Sequence, residues 1–320
     1  MARHLPAYLR HPEVSSVTVY DQRPDRASRA AATGGVPWTD GLEAFLDQRF
    51  DAVSVCTSPW SHAELAIMTL EHGSHVLTEK PMAMSTSDAQ AMVAAADHAQ
   101  RVLCVSHNFL FSDAARQASH VMAKGGDVQL ALAVQLSSFR RRLPEWYPQL
   151  PGGLLFDELP HMLYLLQHYL GHLSLESARR PESSAHPNVV ELSFLGAAPA
   201  QLTTAFESPV SEWHITLVGS RRVVDLDLFR DFASWVGPDD DHGPLDILKS
   251  SVHATLTHWG GFARSGSRLV TRRQSWGHDR LIAGFIDSVL GRAPSPVPPS
   301  DAVAVVALTD AILAELGIRA

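Results

Sequence analysis

Apolar and polar positions change rhythm once along this chain. Over the first hundred residues, β-rich or apolar runs of strand length occur at 14–20, 52–56, 75–78 and 102–106. The second run stops at Thr57-Ser58-Pro59 and the third at Glu79-Lys80-Pro81. Between the runs, 5–9, 24–32, 41–46, 61–72 and 85–99 carry helical spacing. Gly34-Gly35 and Gly73 supply stops, and Ser85 supplies an N-cap. Strands alternating with helices predict an α/β unit with a parallel sheet.

Beyond His107 the texture differs. A helix is expected over 113–124, a strand over 129–139, a loop rich in proline and aromatics over 143–153, and a very apolar helix over 159–170. Strand-like runs at 189–194, 201–206, 213–218 and 222–228 then follow one another without helices between them. That order predicts an α+β domain with a mainly antiparallel sheet. Helices at 281–290 and 302–316 close the chain. With 320 residues, the chain exceeds the ~250–300 at which single cores stop growing. Two domains, 1–106 and 107–320, are expected.

Composition narrows the partners. A net charge of −8 argues against a surface that tracks nucleic-acid phosphates. The basic clusters Arg140-Arg141-Arg142 and Arg272-Arg273 are short, and read as solvated or as seats for a small anion. Cys56 and Cys104 lie in apolar runs and read as buried thiols of a reducing compartment. No apolar stretch reaches the ~20 residues that span a bilayer, and residues 1–14 lack a signal-peptide core. The expectation is a cytoplasmic protein with no membrane partner.

Several residues could carry chemistry. Asp21 ends the first run, where a carboxylate accepts hydrogen bonds from both hydroxyls of a ribose and repels a 2′-phosphate; a strand-end turn is the plain alternative. Arg23 and Arg26 stand near enough to leave a phosphorylated ribose open. Lys80 follows a parallel strand at its carboxyl end, where ligands bind in open α/β sheets, and its ammonium could stabilise a developing alkoxide. A surface Glu-Lys pair before a turn is the competing reading. Asp157 reads as an N-cap, with Pro160 tolerated in the first turn. Asp157 and His161, four apart, share one helical face, as a carboxylate-supported general base requires; an N-cap beside a core histidine explains the same spacing.

Other signals are weaker. His168 and His172 are separated by Gly171 and lack a third ligand, so no metal site is expected. Asp239-Asp240-Asp241-His242 reads as a solvated loop. Trp146-Tyr147 could stack on a sugar-like ring or anchor the loop.

Taken together, the motifs resemble the glucose–fructose oxidoreductase/inositol dehydrogenase (Gfo/Idh/MocA) family. The resemblance rests on the strand ending in Thr57-Ser58-Pro59, on His62-Ala63-Glu64, on Glu79-Lys80-Pro81, and on Gly152-Gly153 followed by Asp157 and His161. The segment 298–315 is also similar to the family's C-terminal helix. Two departures stand out. Leu110 replaces a frequent arginine, and Leu159-Pro160 replaces a glycine-containing stretch; both line or shape the substrate pocket.

The resemblance implies a Rossmann-like domain and an NAD-dependent (or NADP-dependent) dehydrogenase or reductase of the CH–OH groups of a sugar, inositol or related cyclic polyol. Lys80 would contact the substrate hydroxyl and the nicotinamide ribose. His161 would be the general acid/base, with Asp157 orienting it or sharing its substrate contacts. Thr57, Ser58, Pro59, His62 and Glu79 would line the cofactor, with Asp21 and Arg26 at its adenosine ribose. Asn108 would serve cofactor and substrate, and Trp146 the substrate. Lys80 and His161 are expected to share one cleft.

In that family's sheet order, 3-2-1-4-5-6, the first strand and its glycine-rich turn lie at the centre. Here the sequence opens inside the helix that should follow them, so an upstream start adding about a dozen residues is expected. The alternatives are a non-catalytic sensor or partner-binding protein on the same scaffold, and a reductase of a non-sugar such as an imine or dihydrodiol. The far face of the antiparallel sheet needs cover, which predicts a homo-oligomer, dimer or tetramer.

Overall fold

A computed structural model describes residues 3–318 apart from 139, 141, 142, 144, 182–187, 239, 240, 242, 272 and 273, and the side chain of residue 269. Most of the two arginine clusters and of the Asp239–His242 run lies outside the described residues. The chain forms two compact units, one of Met1–His107 with His278–Val306 and one of Asn108–Gly277 with Ala307–Ala320.

The first unit runs α1 (His4–Arg10), β1 (Val19–Tyr20), α2 (Pro24–Gly34), β2 (Trp38–Thr39), α3 (Leu42–Leu46), β3 (Ala52–Val55), α4 (His62–Glu71), β4 (His75–Thr78), α5 (Thr86–Ala99) and β5 (Leu103–Val105). Its strands are parallel and form two separate sheets, β1-β2 and β3-β4-β5. Among the described residues no strand pairs with both β1 and β3. Only Val19 and Tyr20 of the expected strand 14–20 are paired. A two-residue ladder has one neighbour to hold it, which accounts for its shortness.

Local chemistry sets the helix ends. Ser85 Oγ accepts the Asp88 N–H at 3.2 Å, capping α5. The core packs α4 and α5 on the β3-β4-β5 sheet through buried Leu70, Val76, Met92 and Leu103. A smaller cluster of Leu5, Val19 and Ala31 joins α1, β1 and α2.

The second unit contains α6 (Asp113–Gly125), β6 (Val128–Ser138), α7 (Leu154–Leu170), β7 (Ser174–Arg179), β8 (Val189–Leu195), β9 (Pro199–Ser208), β10 (Glu212–Gly219), β11 (Val223–Asp227), β12 (Phe232–Val236) and the 27-residue α8 (Pro244–Val270). Its seven strands order as β12-β11-β10-β6-β9-β8-β7. All neighbours are antiparallel except β6 and β9. Strand burial alternates, as one-sided packing dictates: in β10, Trp213, Ile215 and Leu217 are buried while their neighbours are half-exposed.

Two more helices, α9 (His278–Val289) and α10 (Pro299–Glu315), complete the chain. Segment 278–306, assigned from the pattern to the second domain, belongs to the first unit. There Arg10 bonds Asp279 at 2.7 Å, and Ala302 and Val306 enter the α4–α5 core.

One expectation is corrected by the start of α7. The helix opens at Leu154, one turn before the predicted start, and Gly153 holds the N-cap position. Gly152 and Gly153 both have positive φ, 68° and 59°, so the break in the chain falls there. Leu155 and Phe156 are buried, which draws the extra turn into the core. Asp157 is therefore not an N-cap, and its own N–H donates to the Gly153 carbonyl at 3.3 Å. Pro160 lies inside the helix. The strands β2, β7 and β12 and the helix α8 were not foreseen. Among the described residues no helix is long and apolar enough to cross a membrane.

Candidate active site

The first unit gathers its candidate residues in loops after the parallel strands. At the end of β3, Ser61 Oγ donates to Thr57 Oγ1 at 2.8 Å and to the Ser58 carbonyl at 2.9 Å, while Pro59 opens a single 3-10 turn. His62 is wholly buried, with Nδ1 2.8 Å from the Pro81 carbonyl and Nε2 3.1 Å from the Thr57 carbonyl. Burial holds its imidazole below the ordinary value, so the ring is neutral and donates from one nitrogen. The ring thus ties the loop after β3 to the turn after β4, and any influence of His62 on a cofactor passes through those loops.

At the end of β4, Glu79 N–H donates to the Val55 carbonyl at 2.9 Å, carrying the ladder one residue past the strand. Its carboxylate is held from two sides. Oε1 lies 2.8 Å from His4 Nε2, and Oε2 accepts the Lys80 N–H at 3.2 Å. His4 comes from α1, and its Nδ1 lies 3.2 Å from Ser54 Oγ, which the Tyr8 hydroxyl also reaches at 2.8 Å. Burial by itself would raise the Glu79 carboxyl. The bond to His4 and the charges of His4, His278 and Lys80 outweigh it and hold the group well below the usual range. Burial likewise opposes charging of His4, but Cys56 and Glu79 prevail and raise it to about 10. An ion pair on the residue before Lys80 therefore anchors the turn, and the Lys80–Pro81 peptide bond within it is cis. Lys80 itself is half-buried.

Asp21, just beyond β1, accepts the Arg23 N–H on Oδ1 at 2.9 Å, so the turn reading describes one of its oxygens. Arg26 is exposed in the first turn of α2.

In the second unit, His161 lies on the buried side of α7, 8% exposed. Its Nδ1 is 2.8 Å from the Tyr164 hydroxyl, whose oxygen also accepts the Phe109 N–H at 3.2 Å. Aromatic rings enclose the imidazole, with Phe109 edge-on at 5.2 Å and Trp213 tilted at 5.2 Å between centroids. Trp213 is set in turn by a buried polar network. Its Nε1 donates to Ser137 Oγ at 3.4 Å, Ser137 bonds the Glu158 carboxylate, and Gln135 Nε2 donates to the Glu158 carbonyl at 3.0 Å. These bonds pin α7 to β6 and β10. Asp157 is buried one turn before His161 on the same helix.

Asn108 is 5% exposed and donates from Nδ2 to the Trp276 carbonyl at 2.9 Å, so its amide fastens the segment before α9. Trp146 is half-buried in the turn that precedes a short 3-10 segment. Tyr164, Phe109, Trp213 and His4 were not singled out from sequence. Tyr164 had a signal, since i+3 on a helix shares the face of His161. The others are distant in sequence and had none.

The pattern of the family described as "Oxidoreductase family, NAD-binding Rossmann fold" (Gfo/Idh/MocA) matches residues 1–107. D-glucoside 3-dehydrogenase of Escherichia coli (strain K12) is 30% identical over 183 residues, covering 54% of this chain and 52% of that protein. 1,5-Anhydro-D-fructose reductase of Ensifer adhaerens is 33% identical over 152 residues, covering 45% and 46%. The chain thus spans about half the length of these curated relatives. Among solved structures, the WlbA dehydrogenase from Bordetella pertussis, in complex with NADH and UDP-GlcNAcA, superposes with a TM-score of 0.76 at 20% identity, covering 98% of this chain and 91% of that one. KijD10, a 3-ketoreductase from Actinomadura kijaniata in complex with NADP and TDP-benzene, gives 0.75 at 20% identity, covering 98% and 93%. Residues 1–107 are thus similar to the Gfo/Idh/MocA oxidoreductases over the part described as an NAD-binding Rossmann fold.

Proposed function

We propose that the protein transfers a hydride between a nicotinamide cofactor and a secondary alcohol or ketone of a sugar-like substrate, an inositol or related cyclic polyol included. The observation that carries this reading is Lys80, half-buried at the carboxyl end of a parallel strand in a Rossmann-family unit, its turn anchored by Glu79 and His4. The curated relatives that oxidise glucosides or reduce keto sugars support the substrate class.

The strand-end residues suit a dinucleotide. Asp21 has Oδ2 beyond its turn bond for a ribose hydroxyl, and NAD is favoured by its charge, with Arg26 leaving NADP open. Thr57, Ser58 and Pro59 would flank the nicotinamide half, and Glu79 would hold the Lys80 turn. When bound, the nicotinamide supplies the hydride donor or acceptor. Lys80 would donate a hydrogen bond to the substrate oxygen and stabilise its negative charge. His161, its Nδ1 held by Tyr164, would exchange the hydroxyl proton at Nε2, with Asp157 sharing substrate contacts. Asn108 and Trp146 would act around the substrate, Asn108 through the segment it fastens. Free Cys56 and Cys104 suit a reducing cytoplasm. A homo-oligomer is part of the proposal, because Leu132 and Val134 of β6 are each 40% exposed.

The test is turnover of NADH and NADPH with 3-keto sugars, and of NAD and NADP with glycosides and inositols. Lys80→Ala and His161→Ala should each lower turnover ~10²–10⁴-fold with circular dichroism unchanged. Wild-type rates in both variants would remove the catalytic assignment. Calorimetric binding of NADH without turnover of any polyol or keto sugar would favour the sensor reading instead.

A further inference from the structure

Helix α8 faces the wrong way for a monomer. Its seven-turn length packs against β12, yet the side turned to its own unit carries Ser250, Ala254, Thr257, Gly261 and Ser265. The approach is close: a Cβ on Gly261 would lie 2.5 Å from the Phe232 ring, so only glycine fits there. The opposite side is large and apolar. Leu245, Leu248, Val252, Leu256, Trp259 and Val270 are 70, 59, 49, 67, 63 and 85% exposed. An amphipathic helix ordinarily buries its large apolar stripe and shows water its small and polar residues. In α8 this arrangement is reversed.

We propose that α8 is the pairing surface for a second copy of this chain, joined helix to helix in antiparallel fashion about a two-fold axis near residues 257–258. Three observations select a second copy. The stripe residues 245, 248, 252, 256 and 259 are three or four apart, the spacing of a helix–helix seam. None of them is charged, so like charges do not oppose self-association. The exposed stripe offers on the order of 700 Å² per copy, close to the ~800 Å² per partner of a standard specific interface. Antiparallel pairing about that axis sets Leu256 against Trp259, Val252 against Ala263 and Leu245 against Val270. The contact is isologous and closes on itself as a dimer. It is separate from the exposed β6 face, so the two surfaces together would build a tetramer.

The experiment is the mass of the full chain in solution by light scattering, for wild type and two double variants. Leu256→Glu/Trp259→Glu should halve the mass, whether from dimer to monomer or from tetramer to dimer. Leu132→Glu/Val134→Glu, on the sheet, should leave the α8 pairing intact. Val252→Cys/Ala263→Cys should, on mild oxidation, give a species of twice the chain mass on a non-reducing gel that wild type does not give, and this readout holds even where the glutamate variant fails to fold. A monomeric wild type overturns the proposal; that outcome would leave α8 for a different protein or a lipid surface. An oligomer whose mass the α8 glutamates leave unchanged, or the absence of the cross-linked dimer, overturns it as well. Loss of turnover in these assays bears on the proposed function alone.

Discussion

The Tyr164 hydroxyl stands 2.8 Å from His161 Nδ1 and also receives the backbone N–H of Phe109 at 3.2 Å. One phenol therefore orients the imidazole and fastens the segment that leads into α6. Phe109 in turn packs edge-on against the same imidazole. Nδ1 is spoken for, so proton exchange in the proposed reaction runs through the other ring nitrogen.

Tyr164→Phe keeps the ring and removes the hydroxyl. Turnover should fall roughly 5- to 10-fold, the value of about one hydrogen bond. The limb of the pH–rate profile that reports the imidazole should move, while KM changes little. An unmoved profile with an unchanged rate would show that Tyr164 only packs.

The His4–Glu79 pair predicts a pH window for stability. His4 is raised from 6.5 to about 10, so its contribution is whole below pH ~6.5 and is lost as pH rises toward 10. Glu79 is lowered from 4.5, so its contribution is whole above pH ~4.5 and is lost as pH falls below that. The difference in unfolding midpoint between wild type and His4→Gln should be widest between about pH 4.5 and 6.5 and close on both sides. A difference constant from pH 4 to 10 contradicts the ion pair.

Gly277 carries a backbone requirement. Its φ is +88°, and a Cβ there would lie 2.1 Å from the Asn108 carbonyl oxygen and 2.7 Å from the Phe111 backbone. Gly277→Ala should cost about 3 kcal/mol or more in denaturant unfolding. Gly291→Ala, at φ +70° with open space around it, should cost only about 1 kcal/mol. Equal losses at both sites would mean that the close approach carries no energy.

Asp21→Asn retains an oxygen for the Arg23 N–H and removes the charge. Under the proposed role, the ratio of NADPH to NADH affinities should shift toward NADPH by roughly tenfold, measured by calorimetric titration. An unaltered ratio would place Asp21 outside the ribose site and leave it as a turn residue.

Much of the fold was legible in the residues, and the misses have physical causes. The strand His75–Thr78 was read to the residue, because a short apolar run between a glycine and a proline turn has sharp edges. The Glu79-Lys80-Pro81 turn was visible for the same reason. The start of α7 was misjudged because Asp157 is a good N-cap by type, whereas the actual break is two glycines whose positive φ appears only in the folded chain. Helix α8 escaped because its apolar stripe is interrupted by glycines and serines that suit a close approach to Phe232.

By itself the sequence determined the local elements and their periods, the strand-end positions of Asp21, Thr57 and Lys80, and the i, i+4 relation of Asp157 to His161. These follow from backbone geometry, which reaches only a few residues along the chain. Tertiary structure alone decided which side chains hold them: His4 on Glu79 from 75 residues away, Trp213 on His161, and Gln135 and Ser137 on Glu158. It also decided which face of α8 meets water. Such partners meet because buried polar groups must be satisfied and packed layers must fill, and neither demand is written in the spacing of neighbouring residues.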